Sequence, residues 1–289
     1  MNTQARIAGM CLMSCALIVS ASGADIVHRE EIRKTFSFTA PSGTEKRLIV
    51  DNICGSIEVV GTSDAQISLI ARKTIHAESD ERVSIAQEKV KLEISEEPDR
   101  IRLYVDAPWR RDDGSTHGMD WEYYGYSVTF DFELRVPSKT DLYLKTINEG
   151  EISVKDIEGA FQVSNVNGGI EMSGLKGAGE FTTVNGNIKI GFARNPESSS
   201  TFKTVNGQVE VGFQGELSAD LRLKTLNGEV YTDYEVAGLP SEAPERAVHG
   251  RKWRYRSGES YRVRAGHGGP SLSFDTLNGN IYIVRNHAD

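Results

Sequence analysis

Apolar and polar positions alternate with a period of two in short bursts along much of the chain, as in Ile170-Glu171-Met172, Ile188-Lys189-Ile190 and Val209-Glu210-Val211. Alternation of this kind predicts β-strands with one buried face. The stretches Gln66–Lys73, Val90–Ile94, Ile101–Val105 and Ser127–Val136 alternate or are rich in β-branched residues, and Pro137 closes the last of them. Only residues 77–89, Ala77 to Lys89, are expected as a short helix.

The bursts follow a repeated motif. Leu144-Lys-Thr-Ile-Asn148-Glu-Gly150, Val163-Ser-Asn-Val-Asn167-Gly168, Phe181-Thr-Thr-Val-Asn185-Gly186, Phe202-Lys-Thr-Val-Asn206-Gly207, Leu223-Lys-Thr-Leu-Asn227-Gly228 and Phe274-Asp-Thr-Leu-Asn278-Gly279 align directly, each followed by a strand. Their asparagines are spaced 19, 18, 21, 21 and 51 residues apart. An Asn-Gly pair between two alternating runs ordinarily signals a hairpin. A regular period near 20 residues instead holds two or three strands plus turns, which is one coil of a β-solenoid. Equivalent positions on neighbouring coils then lie about 4.8 Å apart.

The expected architecture is therefore all-β: an antiparallel β-rich region over residues 25–137, then a β-solenoid over 138–289 with a basic hairpin inserted near 245–266. Asn148, Asn167, Asn185, Asn206, Asn227 and Asn278 should form a buried hydrogen-bonded ladder. The glycine beside each permits a sharp corner. Leu144, Val163, Phe181, Phe202, Leu223 and Phe274 should stack as an internal column. An earlier copy, Val50-Asp51-Asn52-Ile53-Cys54-Gly55-Ser56-Ile57-Glu58-Val59, carries the same asparagine and strand.

These features resemble an adhesin-like family of bacterial envelope proteins whose function is unknown. The resemblance rests on the Asn52 to Val59 strand, on Val136-Pro137 closing a long strand, on the repeated Thr-Val-Asn-Gly coils, and on the terminal Gly268-Gly-Pro-x-Leu272 to Ile281 segment. It implies a β-helix-like fold and an adhesive role, and it brings no catalytic residues. The Asn148-Glu149-Gly150 spacing and the long gap before the last coil depart from the pattern.

Composition adds a compartment. Arg6, the apolar run Ile7–Val19 and the small residues Ala21 to Ala24 read as a secretory signal peptide over residues 1–24. Leu12-Met13-Ser14-Cys15 offers a lipoprotein signal as the competing reading. Export places the protein in the periplasm or on the cell surface, and cleavage at 24 leaves Cys54 as the one cysteine. The whole chain carries a formal charge of −8, which argues against general nucleic-acid binding.

Candidate chemistry is sparse. There is no Gly-x-Ser-x-Gly, His-Glu-x-x-His, Cys-x-x-Cys or phosphate-binding glycine loop. The six histidines are dispersed, and neither a metal nor a cofactor is expected. The outward residues Glu58, Ser153, Glu171, Lys189, Glu210, Tyr231 and Tyr282 should form a second ladder. Glu171 and Glu210 have the separation of a glycosidase pair, with Lys189 between them as in an ordinary charged face. Two other groups are candidate partner-binding surfaces. Trp109, Trp121, Tyr123, Tyr124 and Tyr126 fall in one loop, where they would either contact a sugar or protein or cap a sheet. Arg254, Arg256, Arg262 and Arg264 would line one face of the hairpin, to bind an anionic polymer or to protect an edge. The leading expectation is a non-enzymatic envelope protein that binds carbohydrate or another envelope protein; the alternatives are a periplasmic structural or signalling partner and a polysaccharide-cleaving enzyme.

Overall fold

A computed structural model of the chain describes residues 17–19, 26–111, 116, 121–239, 246–249, 252–255 and 260–286. The expected signal peptide lies outside these residues apart from strand β1 (Leu17–Val19). The N-terminal part continues with β2 (Ile26–Ser37), β3 (Arg47–Asp51), β4 (Ile57–Thr62), β5 (Gln66–Ala77), helix α1 (Asp80–Lys89), β6 (Lys91–Glu96), β7 (Arg100–Asp106), helix α2 (Trp121–Tyr124) and β8 (Tyr126–Pro137). The repeats supply β9 (Asp141–Lys145), β10 (Ile152–Lys155), β11 (Phe161–Ser164), β12 (Ile170–Lys176), β13 (Gly179–Thr182), β14 (Ile188–Arg194), β15 (Ser200–Lys203), β16 (Val209–Gln214), β17 (Ala219–Asn227) and β18 (Val230–Thr232). Then come β19 (Val236–Gly238), β20 (Arg246–His249), β21 (Lys252–Tyr255), β22 (Ser260–Ala265), β23 (Ser271–Asn278) and β24 (Ile281–Asn286).

These strands form two large mixed sheets of 11 strands each, neither closed on itself. One runs β1-β2-β5-β8-β4-β10-β12-β14-β16-β24-β18, the other β19-β22-β17-β23-β15-β13-β11-β9-β3-β7-β6. From β9 to β18 the chain alternates between them, and each strand pairs in parallel within its own sheet. The expected apolar column is present: Val50, Leu144, Val163, Phe181, Phe202, Phe274 and Leu223 are register partners across the second sheet. Ile57, Ile152, Ile170, Ile188, Val209 and Ile281 form its counterpart in the first. Their burial between the sheets is the main stabilising term, since each fully covered aliphatic side chain contributes about 1.5–3 kcal/mol.

Three expectations are corrected. Residue 137 is not a break in either sheet, because β3 and β4 stack directly on β9 and β10. The last motif copy in sequence is not last in space: β23 lies between β15 and β17, and β24 between β16 and β18. That insertion explains the 51-residue gap between Asn227 and Asn278. Among the described residues near 245–266, β21 and β22 do not pair with each other as one hairpin would require. Instead β21 pairs with β20 in a separate two-stranded sheet, and β22 pairs antiparallel with β17 and β19.

The motif residues have different tasks from those expected. The residue two places before the ladder asparagine is a threonine in five of the six motif copies, buried in four of them and half-buried at Thr225. Thr146, Thr183, Thr204, Thr276 and Thr225 donate their hydroxyls to the carbonyls of Gly55, Gly168, Gly186, Gly207 and Gly279 in the adjacent coil, at 2.9–3.0 Å. Asn165 takes the same place in its coil and donates to Gly150 at 2.9 Å. Asn52 also sits there, donating to Phe130 at 2.9 Å, so Cys54 and not Asn52 stands opposite Asn148. The glycines matter less for turning than for closeness: Gly168, Gly186 and Gly207 do not need positive φ, but a Cβ on any of them would lie within 2.1 Å of the next coil's glycine carbonyl.

Thr204→Val removes a buried donor while preserving shape, and leaves the Gly186 carbonyl unpaired. It should cost about 1–3 kcal/mol. Asn206→Ala, on the exposed ladder, should cost no more than about 0.5 kcal/mol. Urea midpoints of the two variants check this, and the reverse ranking would return the stabilising role to the asparagines.

Candidate binding surface

The corner between the two sheets carries a chemical pattern that repeats from Asn148 to Asn227. Asn167 donates its amide to Asn148 at 2.9 Å, Asn185 to Asn167 and Asn206 to Asn185 at 2.8 Å, Asn278 to Asn206 and Asn227 to Asn278 at 2.7 Å. The ladder is continuous, in the spatial order 148, 167, 185, 206, 278, 227. It lies on the outside, where five of its six members are exposed and Asn148 is half-buried. An amide has two N–H donors and a two-lone-pair oxygen; each internal rung uses one donor and accepts one bond, which leaves a donor and a lone pair for the surroundings.

Beside it runs an apolar stripe that sequence reasoning did not single out. The residue before each asparagine is Ile147, Val166, Val184, Val205, Leu277 or Leu226; the first two and Val205 are half-buried, Val184 and Leu277 are exposed, and Leu226 is 70% exposed. The signal was available, since all six motif copies place a β-branched residue or leucine there. In the first coil the additional residue of Asn148-Glu149-Gly150 is absorbed by Glu149 in the left-handed region, φ 47°. The corner therefore keeps its line.

Among the described residues the aromatic loop turns most of its rings inward. Trp109 is 1% exposed and packs against Tyr124 and Tyr126, with centroids 5.1 and 6.0 Å away, and Tyr126 is itself buried. Beside it Arg110 reaches Asp51 at 2.6 Å and lies 4.2 Å from the Tyr104 ring. These residues cap the N-terminal end of the core. Tyr124 is half-buried, and Tyr123 is the exposed member at 74%. The side chain of Trp121 lies outside the described residues.

The basic face is likewise divided. The side chains of Arg254 and Arg256 lie outside the described residues. Arg264 holds Asp220 in a bidentate pair at 2.7 and 2.9 Å, a bond that keeps the Asp220 carboxyl below its ordinary range. Arg262 stands opposite Arg222 across the β17–β22 pair. At the same end, a cleft of about 650 Å³ is lined by Leu217, Tyr234, Val236 and the carboxylates of Glu216, Asp233 and Glu235. Arg285 crosses it to Glu216 at 3.0 Å.

The outward row of the first sheet contains the expected residues, with Tyr282 ahead of Tyr231 because β24 lies between β16 and β18. Glu171, Lys189 and Glu210 are register neighbours, with Lys189 3.7 Å from Glu171. Tyr282 and Tyr231 follow with rings stacked at 5.0 Å. Cys54 is buried, and burial pushes its thiol up to about 11, so at neutral pH it is protonated and a poor nucleophile. Among the described residues no group of three or more His, Cys, Asp or Glu side chains is placed to hold a metal ion, and no helix is long and apolar enough to cross a membrane.

No protein-family model matches the chain, and no curated protein matches it. Solved structures similar to it include the following three. The first is described as "a putative cell adhesion protein from Clostridium sporogenes", 12% identical, TM-score 0.32, covering 89% of this chain and all of that one. The second is "a putative adhesin" from Bacteroides fragilis, 8% identical, TM-score 0.29, covering 89% of this chain and 97% of that one. The third is a "putative lipid binding protein from Parabacteroides distasonis", 10% identical, TM-score 0.29, covering 92% and 98%. Likeness at this level transfers no role, so the function is argued from the corner surface itself.

Proposed function

We propose that this chain is a non-enzymatic, exported envelope protein that binds an extended glycan along its corner, and that residues 138–287 are a β-solenoid whose coils repeat the binding unit. The observation that carries the reading is the pairing of two parallel lines on one edge: hydrogen-bonding amides and apolar side chains, each in register from coil to coil. A sugar chain has the complementary pattern, with hydroxyl edges for the amides and C–H faces for the apolar stripe. Exposed apolar rows flanked by polar groups mark interaction sites, and stacked repeats characteristically bind along their length. The repeat would recur at the strand spacing of about 4.8 Å, so affinity should grow with ligand length by multivalency. The alternation of strands between the two sheets supports the solenoid reading.

Titration calorimetry against a panel of soluble envelope polysaccharides tests it. The paired substitution Val184→Ser and Asn185→Ala should weaken binding about tenfold or more, with the circular dichroism spectrum unchanged. Tyr123→Ala should leave affinity as it is. The opposite pattern would move the site to the aromatic loop, and binding to no polysaccharide in the panel would remove the glycan reading.

A further inference from the structure

The two sheets end unevenly. At the C-terminal end, β18 is opposite β17, because the motif corner Thr225 to Gly228 joins them. The first sheet stops there, whereas the second continues by two more strands, β22 and β19. The inner face of that overhang is apolar. Leu221 and Leu223 of β17 point into the core, and their register partners Val263 and Tyr261 share that face, as does Val236 next to Ala265. With no strand of the first sheet above them, Tyr261 is 56% and Val236 39% exposed. The N-terminal end has a comparable step, in which the first sheet overhangs, and there α1 packs on β5, β8 and β2 and buries Val83 and Ala86. Among the described residues no helix packs on the C-terminal step, where Tyr234 and Ala265 are buried and Tyr261 and Val236 are left exposed. The β20–β21 pair inserted between β19 and β22 belongs to neither large sheet.

We infer that this step is a self-complementary joint, and that its occupant is a second copy of the chain. The gap in the first sheet is two strands wide, and the overhang that could fill it is two strands wide. A twofold axis lying between the layers and parallel to the strands exchanges the layers while preserving strand direction. It brings the second copy's β19 alongside β18. The chain runs one way in β17 and back in β18, and β22 and β19 are successive antiparallel partners, so β18 and the incoming β19 are antiparallel. Both are three residues long. The pairing satisfies two edges that would otherwise stay open, and the interface is isologous. The overhangs lay Tyr261, Val263 and Val236 of each copy against the same residues of the other. The same axis keeps both asparagine ladders on one edge, in line, and lengthens the surface assigned above; the joint itself does not depend on that assignment.

Sedimentation of the full chain over a wide concentration range should show a dimer that dissociates on dilution. Val236→Asp or Tyr261→Glu should weaken it about tenfold or more, and Tyr123→Glu should not. A second test avoids any effect on folding. Chains carrying Tyr231→Cys and chains carrying Ala237→Cys, in a background with Cys11 and Cys15 replaced by serine, should form a disulfide-linked dimer rapidly when mixed, because paired strands bring Cα atoms within disulfide reach. Each variant alone should do so slowly. A monomer at every concentration, as expected where the Arg246–Tyr255 segment of the same chain covers the ledge, overturns the inference. So does a dimer that these substitutions do not weaken, or cross-linking that is no faster in the mixture.

Discussion

Gly186→Ala is expected to destabilise the protein by about 3 kcal/mol, an unusually large effect for one methyl group. The added Cβ would sit 2.1 Å from the Gly168 carbonyl oxygen. That oxygen cannot retreat, because it accepts the buried hydroxyl of Thr183 at 2.9 Å. Nor can the coils separate locally, since Gly186 N–H donates to Asn206 O at 3.0 Å on the other side. The backbone conformation at Gly186 does not require glycine, so the penalty is steric and not conformational. Gly191→Ala supplies the contrast: its nearest neighbour would be 3.7 Å away, an ordinary contact, and its stability should stay within about 0.5 kcal/mol of the parent. Urea unfolding of both variants, read at unchanged slope, checks the difference. A cost below about 1 kcal/mol at Gly186 would mean that the coils can slide apart.

The motif was legible in the sequence, but the orientation of its residues was not. Alternation correctly put Phe202 and its equivalents inside, and the same parity places Thr204 and Asn206 inside as well. The chain leaves the strand between Thr204 and Asn206, so the period-two rule holds for the threonine and fails for the asparagine. The ladder therefore formed on the unexpected side, with Asn278 and not Asn227 next to Asn206. Asn52 shows the same limit: read by residue type it matched the ladder, whereas register gives that position to Cys54. Spatial order was hidden for a different reason. A strand pair returning from 51 residues away can enter any gap of the right width, because every coil presents the same edge, and no local propensity distinguishes the gap after β16 from the end of the stack. The aromatic loop misled through composition: tryptophan and tyrosine among aspartates and glycines look like a contact surface, yet Trp109 follows a strand whose inner residues Leu103 and Val105 are buried and continues their cover.

Phe202→Ala should cost about 3–5 kcal/mol, the range for removing a fully buried aromatic side chain. Phe202 has no solvent-accessible surface and stacks at 5.3 Å on Phe181 and 4.9 Å on Phe274. The edge of Phe192, from the opposite sheet, closes the site at 6.3 Å. The hole cannot refill easily, because the three neighbouring rings belong to strands fixed by their own ladders. Position in the fold raises the consequence further. Phe274 belongs to the last coil, which enters the stack beside β15, so the Phe202–Phe274 contact is where the C-terminal strands are held. Phe274→Ala should destabilise comparably, and the double variant should cost less than the sum by about 0.5–1.5 kcal/mol, the coupling of a stacked pair. Additive losses would mean that each ring packs independently and that the inserted coil is held by its backbone ladder alone.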